Sequence, residues 1–356
     1  MRLVLFCSWR LPMVKLLSRR GVRMRRLSYL SVLMLVLLAA CSTSQATPTP
    51  APKDSVKLQL NWVFDYSSSG FFAAEKNGRF GEQNLNVELI AGGFDANGYI
   101  DGTEKVSSGA ADFGVASADS VIQARANGKP VVGIAVLTQN SPLAILSLPG
   151  ANIRTPQDLV GKKVLVSEGG ATQLYNTLLT AQGIDLESAK PLPRFDSGID
   201  QLIDGEIDAL VAWNINEAIE LSERGYPPSI MLMSDYGINS YELVIITTEK
   251  MATENPDLVT RFLKATFKGW NDVIANPSQA VDYVVTYDVK LNRDAQLRRL
   301  TEMLKLIKPA NTKIGDMRPD LWSFTHQMLQ TQGALKEPIE LGRAYSTLFL
   351  DVIPDR

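Results

Sequence analysis

Residues able to bind or react gather in this 356-residue chain where apolar runs end. Asn61 and Trp62 close "VKLQLNW", and Asp65 and Tyr66 follow at once. Ser117, Asp119 and Ser120 close "DFGVASADS", and Gln139 follows "KPVVGIAVLT". Glu168, Gly169 and Thr172 follow "KKVLVS", and Trp213, Asn214 and Glu217 close "IDALVAWNINE". Two indoles can sandwich a flat ring, each such pair contributing about 0.5–1.5 kcal/mol beyond area burial. Asp119, Glu217, Gln139 and Asn61 can pair with ring nitrogens, exocyclic amines or hydroxyls. The set lacks the arginine or lysine cluster that sulfonate, nitrate or phosphate demands. It suits a planar, largely uncharged heteroaromatic molecule.

Each candidate also has a plainer role. Trp62 and Trp213 can fill a core. Asp119 can cap a helix starting at Ser120. Glu168-Gly169-Gly170 reads either as a helix-start anion cradle, which Glu168 itself would oppose, or as a loop. Reaction chemistry is poorly supplied. There is one histidine, His326, inside the helical run "RPDLWSFTHQMLQTQG", where it reads as a solvated or packed residue. The cysteines are Cys7 and Cys41. That inventory leaves no Cys/His metal site and no histidine-based triad, and the sequence predicts no catalytic residue, metal or cofactor. The net charge of −2 comes without a basic patch in the body, so no nucleic-acid partner is expected.

The elements that must position these residues alternate. Short apolar runs and helical stretches succeed one another, with Gly or Asn at the joins, the rhythm of a parallel sheet covered on both faces. From Asn255 the chain is mostly helical by apolar spacing. "SGAADFGVA" (108–116) is weakly repeated as "DGEIDALVA" (204–212), which points to two α/β lobes or to two similar turns. Asp112 and Asp208 in these units read as turn residues. Open sheets of this kind bind at the carboxyl ends of their strands, where the candidates lie.

Residues 24–40, "MRRLSYLSVLMLVLLAA", have the basic start, apolar run and small residues of a secretory signal peptide, taken here as 1–40. Met1 and Met24 are both possible starts. "LAAC" ending at Cys41 resembles a bacterial lipobox, which implies acylation of Cys41 and extracytoplasmic anchoring at a cell membrane. Acyl chains bind at about 0.8 kcal/mol per buried CH₂. Residues 41–54 form a Thr/Pro-rich tether, extended and with little to bury.

The succession "LQLNW…GFFAAEKNGRFGEQNLNVELIAGG…VSSGAADFGVASADSVIQARANGKPVVGIAVLTQNSPLAILSL…IRTPQDLVGKKVLVS" resembles bacterial ABC-importer solute-binding proteins. The resemblance is to the branch of thiamine-pyrimidine-precursor and riboflavin binders, with sulfonate and nitrate binders more distant. It implies an α/β, two-lobed periplasmic-binding-protein fold, type II-like, with two doubly wound lobes joined by a two-strand hinge. Lobe one would be 55–137 plus 243–356, and lobe two 138–242 with the crossings. It implies a monomer that binds a small vitamin and delivers it to an ABC permease. The histidine common after the first strand's Trp in thiamine-precursor relatives is missing from "VFDYSSSG" (63–70), as is the synthases' cysteine-rich motif. Riboflavin would find use for Asp65, Ser67, Ser68, Ser69 and Asn97 through its ribityl hydroxyls, unless these form an ordinary solvated loop. A thiamine pyrimidine precursor is the alternative ligand. A vitamin-precursor enzyme on the same fold, or a sensory or adhesive ectodomain, are the readings of other classes.

Overall fold

The computed structural model describes residues 52–96, 98–167, 170–335 and 339–356. The leader (1–40), Cys41, the tether up to residue 51, Asn97, Glu168 and Gly169 lie outside the described residues.

Strand β1 (Asp54–Gln59) buries Val56 and Leu58 on one face, the alternation expected of a strand. A 3₁₀ turn at Tyr66–Ser68 leads into α1 (Ser69–Lys76) and α2 (Arg79–Glu82), then β2 (Leu85–Ile90). A short hairpin of β3 (Phe94–Asp95) and β4 (Gly98–Tyr99) precedes α3 (Gly102–Ser107), β5 (Phe113–Ala116), α4 (Ala118–Ala126) and β6 (Val131–Val136). The chain crosses over residues 137–142 into β7 (Leu143–Ser147). The second lobe continues with β8 (Val164–Val166), α5 (Gly170–Ala181), β9 (Leu192–Pro193), α6 (Ile199–Ile203), β10 (Ala209–Trp213), α7 (Glu217–Glu223) and β11 (Ser229–Leu232). It returns over 233–243 to β12 (Val244–Thr248). The tail is α8 (Glu249–Glu254), α9 (Pro256–Ala275), α10 (Pro277–Tyr287), α11 (Arg293–Ile307), α12 (Pro319–Thr331) and α13 (Leu348–Asp351).

Two five-stranded sheets result, ordered β2-β1-β5-β12-β6 and β11-β7-β10-β8-β9. They are mixed, which corrects the expectation of parallel sheets. In each, one strand arrives from the other lobe and runs against its neighbours: β12 between β5 and β6, and β7 between β10 and β11. A strand entering from the opposite side needs no helical crossover, so its direction is reversed. Both β7 and β6 are buried along their whole length; β7 is an inner strand, and β6, at the edge of its sheet, is covered by the tail through bridges to Gly315 and Tyr345.

The weak repeat is structural. The Asp112 carboxylate accepts the Lys57 backbone N–H, and the Asp208 carboxylate accepts that of Lys163, both at 2.8 Å. Gly109 and Gly205 turn the chain at φ +78° and +74°. Both aspartates therefore fasten the start of a central strand to its neighbour, as their turn reading anticipated. His326 on α12 is half-buried, and its Nε2 accepts the Ile339 N–H at 3.4 Å.

The first lobe is braced by α9 crossing α1 at two glycines. A methyl on Gly269 would overlap the Gly70 carbonyl oxygen and lie 2.7 Å from Ala74 Cβ. The obstacle is backbone, so it cannot swing aside. Gly269→Ala is therefore expected to cost about 1–3 kcal/mol by overpacking. It should lower the urea unfolding midpoint, while Gly150→Ala, with open space around it, should leave the midpoint unchanged.

Candidate functional site

On the first lobe, the chain leaves β1 at Asn61-Trp62. Gly92 N–H donates to the Trp62 carbonyl at 2.8 Å, and the Tyr99 hydroxyl donates to the Asn61 carbonyl at 3.1 Å. Trp62 is 41 % exposed, so it is not a core residue. Asp65 caps the following turn, its carboxylate accepting the Ser67 N–H at 2.8 Å and the Ser67 hydroxyl at 2.6 Å. The Ser69 hydroxyl donates to the Tyr66 carbonyl at 2.7 Å. Ser67, Ser68 and Ser69 are buried. This corrects the reading of the serine run as an ordinary solvated loop, and it shows the Ser67 and Ser69 hydroxyls donating inside the protein. Tyr66 is buried too, its N–H held by Gln296 Oε1 of α11 at 2.8 Å. Burial pushes the Asp65 carboxyl up to about 6, against the Ser67 bonds and the Arg299 charge. Burial also raises the Tyr66 phenol, helped by Asp65 and Glu217 across the cleft.

Next along the sheet, Ser117 takes the cap position of α4, and its hydroxyl lies 2.9 Å from that of Ser120. The helix starts at Ala118 rather than Ser120, so Asp119 sits in the first turn and not at the cap. Its carboxyl is buried (6 % exposed) and raised by that burial. Beside it stands Glu242, from the second crossing. Glu242 Oε1 accepts the Ser141 hydroxyl of the first crossing at 3.0 Å. Burial, then the Asp119 charge, push Glu242 up to about 7. Although half of the Tyr99 surface is exposed, its phenol lies against the protein and is pushed up to about 12, by burial first and then by Asp101, Asp119 and Glu242. The second lobe closes on this group: a methyl on Gly170, the first residue of α5, would lie 2.6 Å from Asp119 Oδ2. The described end of the supposed anion cradle thus faces the protein's own carboxylate.

On the second lobe, Thr172 donates to the Ser167 carbonyl at 2.8 Å. Trp213 is half-buried at the end of β10 and packs against the core. Glu217 was expected to meet a ligand. Instead Oε1 accepts Arg194 Nη2 at 2.6 Å and Oε2 accepts the Trp213 N–H at 3.2 Å. Arg194 also donates to the Val211 and Asp196 carbonyls. This buried pair braces Trp213, and losing one partner would strand the other charge at a cost of about 3–5 kcal/mol. Gln139 is likewise internal, its Nε2 donating to the carbonyls of Val136 at 3.2 Å and Asp316 at 3.0 Å. The Asn214 N–H donates to the Pro142 carbonyl at 2.9 Å, while Asn214 Oδ1 is buried with no partner among the described residues.

The structure therefore brings two groups together: Asn61, Tyr99, Asp119 and Glu242; and Asp65, Tyr66, Glu217 and Arg299. Tyr99, Arg194, Glu242, Gln296 and Arg299 were missed from sequence. Only Glu242 carried a signal, as an acid opening the apolar run "LVIITT".

A glutamate whose carboxyl rises from 4.5 to about 7 on folding favours the folded state fully below pH 4.5, and that contribution is lost as pH climbs through 7. Glu242→Gln keeps the shape without the charge. It should therefore flatten the fall in stability between pH 5 and pH 8, gaining on the order of 2 kcal/mol over wild type at pH 8. Urea unfolding at the two pH values measures this; equal slopes in the two proteins would refute it.

The chain is 26% identical over 334 residues to a formylaminopyrimidine-binding protein of Halalkalibacterium halodurans, covering 91% of this chain and 99% of the relative. It is 25% identical over 351 residues to the riboflavin-binding protein RibY of Chloroflexus aurantiacus, covering 91% and 97%. A 4-amino-5-hydroxymethyl-2-methylpyrimidine phosphate synthase of Saccharomyces cerevisiae, THI13, is 27% identical over a shorter 259 residues, 69% of this chain and 75% of the synthase. The fold matches the periplasmic aliphatic sulphonate binding protein SsuA of Escherichia coli, with a TM-score of 0.65 at 15% identity, covering 82% of this chain and 91% of that one. The architecture is thus the two-lobed periplasmic-binding-protein fold. The NMT1/THI5 like family model matches residues 66–280, more than half of the 356, and the chain belongs to that family.

Proposed function

We propose that this protein is the solute-binding component of an ABC importer, anchored through acylated Cys41 on the outer side of a cell membrane. It takes up riboflavin or a related heteroaromatic vitamin and hands it to the permease. Residues 55–137 with 243–356 would move against 138–242 about the two crossings and close on the ligand. No bond is made or broken. The observation that carries this reading is an exposed indole, Trp62, at a strand end of the first lobe, whose neighbour Asn61 holds Tyr99 close to the acceptors Asp119 and Glu242, with Gly170 of the second lobe packed against Asp119. The named ligands of the two binding-protein relatives support it as well.

A thiamine-type aminopyrimidine is the second reading. One observation favours it: Asp119 and Glu242 are neighbouring acceptors, which suit a small ring carrying amino donors. The internal engagement of the Ser67 and Ser69 hydroxyls removes two of the ribityl partners expected from sequence.

Riboflavin and an aminopyrimidine titrated separately into the purified protein, followed by fluorescence and calorimetry, distinguish the two. Saturable riboflavin binding is expected. Trp62→Ala should weaken it at least about tenfold through lost stacking and burial. The unfolding midpoint should stay unchanged, because Trp62 lies outside the core. Tight pyrimidine binding with no flavin response would transfer the ligand assignment to the pyrimidine. Turnover of a vitamin precursor would overturn the receptor reading.

A further inference from the structure

Helix α11 belongs to the tail that packs on the first lobe, yet its polar side chains reach both the candidate site and the second lobe. Gln296 Oε1, buried, holds the Tyr66 N–H. One turn further, the Arg299 guanidinium acts on Asp65 and Tyr66 and lies 3.5 Å from Glu220 Oε2 on α7. Its neighbour Arg298 places Nε 2.6 Å from Glu223 Oε1, also on α7. Glu220 and Glu223 are three residues apart and so share one face of α7. Glu217, at the start of the same helix, fixes Trp213 through its backbone N–H. A continuous set of polar contacts thus runs from Tyr66 through α11 to α7 and Trp213, with candidate ligand residues at both ends.

We propose that Arg298 and Arg299 form an interlobe latch with Glu223 and Glu220, positioning the two walls of the site against each other. The proposal rests on the receptor reading for its purpose, but the latch itself is a property of the ligand-free chain. Arg299 is the stronger member. Its side chain is 14% exposed, and its Nε is buried without a partner among the described residues, so the guanidinium has little water to fall back on when Glu220 withdraws. The Arg298 pair is more exposed, at 52% and 30%, and is accordingly the salt-sensitive half. Arg224 also approaches Glu220, at 3.9 Å, and offers that carboxylate a partner within its own lobe when the latch opens.

Charge reversal tests it. The variants are Arg298→Glu, Glu223→Arg and the double swap, each in a background carrying spin labels at Glu75→Cys and Glu187→Cys, with Cys7→Ser and Cys41→Ser. Glu75 and Glu187 are exposed, one in each lobe. Distance distributions by pulsed EPR read the open-to-closed ratio without ligand. Each single reversal is expected to raise that ratio roughly two- to fivefold at low salt. The double swap should return it to within about twofold of wild type, and 1 M salt should shrink the differences. Unchanged distances in both single variants, or a double swap no better than either single, would overturn the latch. Riboflavin forms a separate arm. Distances that change on charge reversal but not when riboflavin is added to the wild type keep the latch and count against the ligand assignment. A response to riboflavin that reversal leaves unaltered, in affinity and in distance, counts against the latch alone.

Discussion

Everything at the candidate site depends on two crossings of the chain. Each sheet is completed by the strand that follows one of them: β12 reaches the first sheet by returning over 233–243, and β7 reaches the second by leaving over 137–142. Each incoming strand is hydrogen-bonded on both sides, so it is as firmly held as any strand in the molecule. The crossings are also fastened to each other. Leu137 N–H donates to the Leu243 carbonyl at 2.8 Å, and Ser141 N–H to Asn239 Oδ1 at 2.8 Å. The candidate residues lie at the carboxyl ends of these strands and on the crossings, where an open α/β sheet has its binding crevice.

The side chains then divide by how their charge is compensated. Glu217 is buried against Arg194 and two further backbone contacts of that arginine, a closed arrangement that stiffens the second lobe. Asp119 is bonded by the Ser117 hydroxyl and by backbone N–H groups, and Glu242 by the Ser141 hydroxyl; the Asp101 charge makes Asp119 harder to ionise, and the Asp119 charge does the same to Glu242. The first wall is therefore rich in acceptors whose charge is expensive, and the second is rigid. An anion placed between them would add to the repulsion. A neutral molecule with N–H or O–H donors would relieve it, by about 1.5–3 kcal/mol for each hydrogen bond to a charged group.

That division explains what could be read from the sequence. Strands, most helices and the strand ends were legible because apolar runs and Gly or Asn stops are local signals, as in "VKLQLNW" and "KNGRF". Strand direction was not, because β7 and β12 carry the same apolar pattern whichever way they run. At the site, residue type was legible and partnership was not. Gln139 and Glu217 have the right chemistry in the right places, but the donors and acceptors they use come from Asp316, 177 residues away, and Arg194, 23 residues away. Glu242 was passed over because nothing in "YELVIITT" reveals that Asp119 lies beside it.

The two tryptophans show how such a site can be both stable and receptive. Trp213 is half-buried and braced by Glu217, so its ring contributes to packing whether or not a ligand is present. Trp62 is exposed, so part of its apolar surface remains in contact with water, at roughly 25 cal/mol per Å². On the proposed reading, a flat ligand covers that surface, and the gain is realised only on binding. The lobe that carries Trp62 also carries Asp119, Glu242 stands on the second crossing, and the lobe that carries Trp213 carries the acidic face of α7 that Arg298 and Arg299 reach. On that reading, recognition rests on the first lobe and the second crossing, and rigidity on the second lobe. Closure would then add area and ion pairs to a ligand already engaged, so a ligand that leaves Asp119 and Glu242 unsatisfied would gain little from it.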